Sequence, residues 1–420
     1  MKVFVVGGGG REHAIIWKLA QSERVDKIYC APGNAGIEPL AQCVPIKAME
    51  LEKICDFAQA NKIDITVVAP DDPLAAGLVD MLEQRGLRAF GPNKAAAQIE
   101  ASKVFAKDLM KKYNIPTADY SVFESSAEAT EHIRRLNKFP AVIKAEGLAL
   151  GKGVIIAQNM EEAENAVCEI MDGQRFGEAG RRVVVEEFLT GPEISVLAFC
   201  DGKTLVPVVS AQDHKRALDG DEGPNTGGMG TFSPSRVYSE AMAKECMENI
   251  FLPTMNAMNS EGRKFKGVLY FGLMATQTGV KVIEYNCRFG DPETQVVLPR
   301  LESDLADIFE AVADERLADV PVKWRSDAAV CVVAASGGYP GKYATGCEIS
   351  GLKEALSLDG IVIFHAGTKR EDGKIVTSGG RVLGVTAIAP SLDEAIKKSY
   401  EAIGKIRFAN MHYRKDIGIK

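Results

Sequence analysis

Short β-branched runs alternate with helix-forming stretches across residues 1–94, and this alternation constrains the fold more than any other feature of the chain. Lys2-Val-Phe-Val-Val6 reads as a buried strand, followed by Gly7-Gly-Gly-Gly10 and a helix from Arg11 through Ala20. Lys27-Ile-Tyr-Cys30, a helix near Leu51 to Ala60, the run Ile63 to Ala69 and a helix near Leu74 to Arg85 continue the pattern. Such alternation predicts an open parallel sheet with helices on both faces. Sheets of this kind bind ligands beyond the carboxyl ends of their strands, where Pro32-Gly-Asn34 and Pro70-Asp-Asp-Pro73 lie. The glycine turn offers backbone N–H groups to an anion, so it reads either as a phosphate site or as a tight packing turn. It is not a dinucleotide fingerprint. Glu12 stands at the third glycine position of G-x-G-x-x-G, and no acidic residue closes the second strand near Cys30.

A chain of 420 residues exceeds one ordinary core and implies about two to four domains. The net charge of −7 argues against a general nucleic-acid binder, although a few Lys and Arg can still make one pocket positive. The nine cysteines are dispersed with no Cys-x-x-Cys, as expected of buried thiols in a reducing compartment. The N-terminus enters a strand directly, and no apolar run approaches the roughly 18 residues of a membrane helix. A cytoplasmic protein without a membrane partner is expected.

In the middle of the chain a helix from Ala95 to Tyr113 carries Lys103, and Pro116 stops the chain beyond it. The strand Phe139 to Lys144 ends in a lysine. Glu146-Gly-Leu-Ala-Leu-Gly-Lys-Gly153 follows, and then the strand Val154 to Ala157. Glycines 147, 151 and 153 around Lys152 read either as a flap that folds over phosphates or as a structural hairpin. The P-loop pattern is absent, and a strand follows instead of a helix. Val183-Val-Val-Glu-Glu-Phe-Leu189 is a strand running into Gly191-Pro-Glu193, the shape of a hinge for an adenine with Glu193 near the ribose. Gln212-Asp-His-Lys-Arg216 through Gly223-Pro-Asn-Thr-Gly-Gly-Met-Gly230 reads as a long loop without structure of its own. His214 within it reads as a satisfied polar residue.

Val282-Ile-Glu-Tyr-Asn-Cys-Arg-Phe-Gly-Asp-Pro-Glu-Thr-Gln295 is the densest chemistry in the chain. Alternate side chains of a strand share a face, so Glu284 and Asn286 point the same way. A carboxylate plus an amide oxygen is hard-oxygen ligation suited to Mg²⁺ held against phosphates. Arg288 follows within reach of those phosphates, and Gly290-Asp-Pro-Glu293 turns the chain with two more carboxylates. Taken alone, Glu-x-Asn also fits a surface hairpin with scattered charges.

The order of helix lysine, strand lysine, glycine flap, Glu-Glu-Phe-Leu hinge and Glu-x-Asn resembles the ATP-grasp ligases. The finer motifs resemble, among them, the phosphoribosylamine–glycine ligases (glycinamide ribonucleotide synthetases) of purine biosynthesis. They are Gly9-Gly-Arg-Glu-His13, Ala31-Pro-Gly-Asn-Ala-Gly36, Gln212 to Arg216, Gly223 to Gly230, Asn286 to Gln295 and Arg414-Lys-Asp-Ile-Gly418. The likeness runs over essentially the whole chain. Glu146 stands for a usual Asp, Leu150 for Ala, Asp71 for Glu, and Pro192 for Glu. The further enzyme domains fused in some eukaryotic members are expected to be absent.

The resemblance implies an α/β and α+β multidomain fold. Its parts are an N-terminal substrate-binding α/β domain (1–94), an ATP-grasp core (95–320) with a mobile lid (about 120–187), and a small C-terminal α+β domain (321–420) without evident chemistry. It implies ligation of glycine to 5-phosphoribosylamine through a glycyl phosphate, with ATP as co-substrate and Mg²⁺ or Mn²⁺ as cofactor. Lys103, Lys144, Gly151, Lys152 and Gly153 would hold the ATP phosphates. Glu186, Glu187 and Leu189 would meet adenine, and Glu193 the ribose. Glu284 and Asn286 would ligate the metal. Arg288 would serve the transferred phosphoryl group as the catalytic residue. Asp213, Lys215, Arg288, Asp291 and Glu293 would surround glycine, and Gly9 and Gly10 would take the sugar phosphate. A monomer is expected. The rival readings are another ATP-grasp carboxylate–amine ligase or biotin carboxylase-like enzyme, a nucleotide-binding regulator without turnover, and a dehydrogenase.

Overall fold

The computed structural model describes residues 1–148, 153–173 and 177–419. Its first sheet contains β1 (Lys2–Gly7), β2 (Lys27–Pro32), β3 (Gln42–Cys43), β4 (Ile65–Val68) and β5 (Ala89–Phe90), all parallel, in the order β3-β2-β1-β4-β5. Val3 through Val6 are fully buried, because helices cover both faces and the central strand must be apolar throughout. The helix expected at 74–85 is two helices, Asp71–Ala76 and Leu78–Gln84. Gly77 separates them at φ +96°, a left-handed conformation that ends a helix.

The helix expected at 95–113 is also broken, into Lys94–Ala101 and Lys103–Lys112. Ser102 lies between them in extended backbone, and its hydroxyl caps the second helix by accepting from the Phe105 N–H at 3.1 Å. Lys103 therefore starts a helix instead of sitting within one, and its N–H donates to the Glu146 carbonyl at 3.0 Å.

An antiparallel sheet follows, made of β6 (Tyr120–Phe123), β7 (Ala141–Ala145), β8 (Val154–Ala157) and β9 (Val183–Glu187) in the order β6-β9-β7-β8. It buries a small core of its own, including Ile133, Ile143, Val167, Ile170 and Val183, beneath the helices Ser126–Leu136 and Met160–Met171. A separate core of this kind lets a subdomain move as a unit.

The next strands are β10 (Glu193–Cys200), β11 (Leu205–Pro207), β12 (Gln212–Asp213), β13 (Arg216–Leu218), β14 (Glu222–Asn225), β15 (Gly230–Ser233), β16 (Gly267–Thr276) and β17 (Gly279–Asn286). Four of them form the central antiparallel sheet β11-β10-β16-β17. The pairing of β16 with β17 is irregular between Gly272 and Leu273, whose partners are Glu284 and Val282, so Ile283 is the extra residue of a bulge. Val280 and Val282 are buried before it, and Tyr285 and Cys287 after it. The bulge shifts the alternation, and Glu284, Asn286 and Arg288 share the opposite side.

The stretch 212–230, expected as a structureless loop, is built from β12, the ribbon β13–β14 and the start of β15. The last strands are β18 (Ala328–Ala335), β19 (Ile361–His365), β20 (Thr368–Glu371), β21 (Lys374–Thr377) and β22 (Arg381–Ala389). Three of them join β12 and β15 in one sheet, β12-β15-β18-β22-β19. The C-terminal sheet thus includes strands from well before residue 321. The helix Leu392–Ile403 packs on it through Ala395, Ala402 and Ile403.

Candidate active site

Glu100, at the end of the helix Lys94–Ala101 and only 7% exposed, organises the end of β17. Its Oε1 accepts from Asn286 Nδ2 at 2.9 Å and from Arg288 Nη2 at 2.9 Å. Its Oε2 accepts from the Cys287 N–H at 2.7 Å. Arg288 Nη1 donates to the Phe289 carbonyl at 3.1 Å, and its buried Nε has no partner among the described residues. Burial disfavours the guanidinium, but Glu100 and Asp71 outweigh it and raise its pKa further.

Lysines from different elements converge on this corner. Lys215, one residue beyond β12 and His214, places Nζ 3.4 Å from Glu284 and 3.6 Å from Glu193. Lys144, next to last in β7, donates to the carbonyl of Ile283 at 3.3 Å, and Lys103 donates to the Gly147 carbonyl at 3.0 Å. Burial alone would raise the Glu284 pKa, but Lys215, Lys144 and Lys103 together pull it down to about 2. With its side chain 30% exposed, Glu284 is an ionised carboxylate that solvent still reaches. Burial lowers the Lys103 pKa and Glu284 partly restores it.

Glu186, expected to meet adenine, pairs with two lysines. It is 5% exposed and bridges Lys107 at 2.8 Å and Lys144 at 2.9 Å. A buried carboxylate between two ammonium groups keeps its charge balanced, although Glu186 Oε1 has no hydrogen-bond partner among the described residues. Burial lowers the Lys107 pKa to about 8 despite this partner. Glu187 is exposed and pairs with Lys281 at 3.6 Å, Leu189 is half-buried, and Glu193 is 48% exposed at the mouth of the cleft. The Gly153 carbonyl accepts from the Ala145 N–H at 2.8 Å. Gly151 and Lys152 lie outside the described residues.

A second corner gathers carboxylates. Glu293 Oε1 accepts from Ser195 Oγ at 3.1 Å and from Tyr270 Oη at 3.0 Å. Asp213 Oδ1 is buried without a hydrogen-bond partner among the described residues. Burial and then Glu293 push the Asp213 pKa well up, against the pull of Lys215 and Arg381. Asp291 accepts from Gln295 Nε2 at 2.7 Å and pairs with Arg381 at 3.2 Å. Arg381 also donates to the carbonyls of Gly227 at 2.6 Å and Asp291 at 2.8 Å, and so fastens the 223–230 loop to the 290–293 turn. A Cβ on Gly228 would stand 2.4 Å from Pro292 Cδ and 2.7 Å from Asp213 Oδ1, at a residue whose φ is already +115°.

Asp291 and Arg381 also line a cleft of about 400 Å³ whose other walls include Gly8, Gly9, Asn34, Thr368 and Ser378. The glycine turn is less open than expected. The Gly9 N–H donates to Glu12 Oε2 at 2.5 Å, and Gly10 is buried against the Gln295 amide, which a Cβ there would meet at 2.6 Å. Gly9 lines the cleft and Gly10 does not. Asn34 Nδ2 donates to the carbonyls of Gly8 at 2.9 Å and His365 at 2.8 Å, and His13 Nδ1 accepts from the His365 N–H at 2.8 Å. Thus β1, β2 and β19 share one wall. The C-terminal part, read from sequence as lacking chemistry, supplies Arg381, Thr368 and Ser378.

The donor set at β17 fits a divalent ion. Asn286 uses its amide N–H on Glu100, which leaves its oxygen as an acceptor beside the ionised Glu284. No group of three metal-ligating His, Cys, Asp or Glu side chains occurs among the described residues. The pair therefore suits an ion whose remaining positions are filled by phosphate oxygens and water, as is usual for Mg²⁺.

Three family models match the chain: the N domain of phosphoribosylglycinamide synthetase over residues 1–100, its ATP-grasp domain over 101–294 and its C domain over 329–420. A phosphoribosylamine–glycine ligase of Halalkalibacterium halodurans is 50% identical over 420 residues, covering 100% of this chain and 97% of its own. The crystal structure of the Thermotoga maritima phosphoribosylamine–glycine ligase superposes with a TM-score of 0.86 at 35% identity, covering 99% of this chain and 100% of that one. A biotin carboxylase from Campylobacter jejuni shares the fold, with a TM-score of 0.76 at 13% identity, over 100% of this chain and 94% of that one.

Proposed function

The chain belongs to the phosphoribosylglycinamide synthetase family, and from that premise and the geometry of the cleft we propose how it joins glycine to 5-phosphoribosylamine. It is an ATP-dependent carbon–nitrogen ligase of purine biosynthesis, and ATP is split to ADP and phosphate. The observation that carries the reading is the convergence of Lys103, Lys144 and Lys215 on Glu284, beside an Asn286–Arg288 pair fixed by Glu100.

A carboxylate is a poor acyl donor, so a glycine oxygen first attacks the γ-phosphorus of ATP. An O–P bond forms and the bond to ADP breaks. The ribosylamine nitrogen then attacks the acyl carbon, the C–O bond to phosphate breaks, and the nitrogen loses one proton, for which the departing phosphate is the base at hand. No protein nucleophile is required, because positioning and charge stabilisation carry phosphoryl transfer. Lys103 and Lys144 hold phosphate oxygens, a role that the family resemblance extends to Gly151, Lys152 and Gly153. The backbone of Glu187 to Leu189 meets the base and Glu193 the ribose. Glu284 and Asn286 hold the divalent ion, Mg²⁺ or Mn²⁺, which when bound withdraws charge from the phosphates. Arg288 directs Nε toward the transferred group, where a guanidinium fork serves better than a point charge.

Asp213 and Glu293 receive the glycine ammonium, with Lys215 balancing their charge, and Arg288 faces the glycine carboxylate. The sugar phosphate enters the cleft between Gly8–Gly9 and Thr368–Ser378, with Asp291 and Arg381 between it and glycine. No helix among the described residues is long and apolar enough to cross a membrane, and we place the enzyme in the cytoplasm as a monomer. The test is ADP release with ribose 5-phosphate and ammonia supplying the unstable amine. ADP should appear only when glycine is present; an equal rate without glycine rejects the reading.

A further inference from the structure

Resting on the metal and phosphoryl roles given above to Asn286 and Arg288, we propose that Glu100 is the positioning residue that fixes both in one geometry. Its carboxylate accepts from Asn286 Nδ2 at 2.9 Å, Arg288 Nη2 at 2.9 Å and the Cys287 N–H at 2.7 Å. An amide has a donor end and an acceptor end, so fastening the nitrogen of Asn286 to Glu100 turns its oxygen away from Glu100. Arg288 is held through Nη2 on Glu100 and through Nη1 on the Phe289 carbonyl, and its buried Nε has no partner among the described residues. One carboxylate therefore sets the direction of a ligand and of a phosphoryl contact together.

Helix stability does not account for this residue. Glu100 occupies the last turn of Lys94–Ala101, where a carboxylate faces the negative end of the helix dipole. A neutral isostere cannot replace it either. Glutamine in this place has one acceptor oxygen for three converging donors and turns an NH₂ group toward at least one of them.

The experiment is calorimetric binding of ADP to the full chain, with Mg²⁺ and with EDTA, for the unsubstituted protein, Glu100→Gln, Asn286→Ala and the double variant. Glu100→Gln should weaken binding about tenfold with Mg²⁺, the scale typical of lost outer-shell partners of a metal ligand, and leave binding in EDTA unchanged. With Mg²⁺ the double variant should be no weaker than Asn286→Ala alone, because ADP lacks the transferred phosphoryl group assigned to Arg288 and the remaining effect of Glu100 on the metal runs through one amide. A loss of equal size with and without metal overturns the proposal, since it marks a merely structural role, and so does an unchanged Kd with Mg²⁺. If Asn286→Ala itself leaves the metal effect intact, the metal assignment falls and this inference with it. Glu100→Asp, which keeps the charge and shortens the reach, is measured alongside; if Glu100→Gln does not fold, a metal-specific loss in Glu100→Asp supports the proposal and an equal loss in both conditions overturns it.

Discussion

Lys144 Nζ lies 3.3 Å from the carbonyl oxygen of Ile283, so the sheet β6-β9-β7-β8 touches β17 one residue before the carboxylate of Glu284. The same ammonium pairs with Glu186 at 2.9 Å. A lysine held from two sides has its position set before any phosphate arrives, and little ordering remains for the substrate to impose.

The buried cluster of Lys107, Lys144 and Glu186 predicts a stability effect for Glu186. Glu186→Gln leaves two buried ammonium groups without their carboxylate, a change on the order of 3–5 kcal/mol. Chemical denaturation should show an earlier midpoint. An unchanged midpoint with weakened ATP binding would instead assign the carboxylate to the nucleotide.

Replacement of Arg288 by Lys keeps the charge and loses the fork. Turnover should drop about 10²-fold or more, as for loss of an oxyanion donor, in the glycine-dependent ADP assay. Near-normal turnover would exclude Arg288 from the transferred group.

Glu284→Ala removes the ionised member of the metal pair and should abolish activity that depends on Mg²⁺. Because three lysines hold this carboxylate near 2, no acid limb should arise from it around the ordinary value of 4.5. Activity retained at ordinary Mg²⁺ would place the metal elsewhere.

Gly228→Ala should raise the KM for glycine more than that for ATP. The added methyl must displace Pro292 or the Asp213 carboxylate at a position with φ +115°. Equal changes in both KM values would show a general distortion instead.

Three buried histidines predict acid sensitivity. Burial lowers the pKa of His13 to about 3 and of His214 and His365 to about 4, from 6.5 in the unfolded chain. Between those values the unfolded chain binds more protons, so stability is full above 6.5 and falls as the pH drops toward 4. Thermal melts across this range should show the decline, and His365→Gln should flatten it. A Tm that stays level down to pH 4 would contradict the burial of these rings.

The shared side of Glu284, Asn286 and Arg288 was legible because strand alternation is a local rule. The bulge at Ile283 was not, since its cause lies in the partner strand at Gly272–Leu273. Glu100 sits 186 residues from Asn286 in an alanine-rich helix, and nothing local distinguishes it from a surface acid. The pairs of Glu186 with Lys107 and Lys144 were not legible, because both lysines come from other elements. The satisfied Gly9 N–H did have a signal, a glutamate three residues after the helix cap, which reaches back to the cap as in a capping box. The strands of 212–233 escaped because runs of two to four residues show too little alternation to register.

Because β15 lies between β12 and β18, the last hundred or so residues are not a detachable appendage. Cutting the chain near residue 320 would strip Gly230–Ser233 of its neighbour and open its buried backbone edge and Phe232 to solvent. The guanidinium that joins the 227–228 carbonyls to the 290–293 turn would go with it. A truncated protein should therefore come out sticky as well as inactive, and catalysis here is a property of the whole polypeptide.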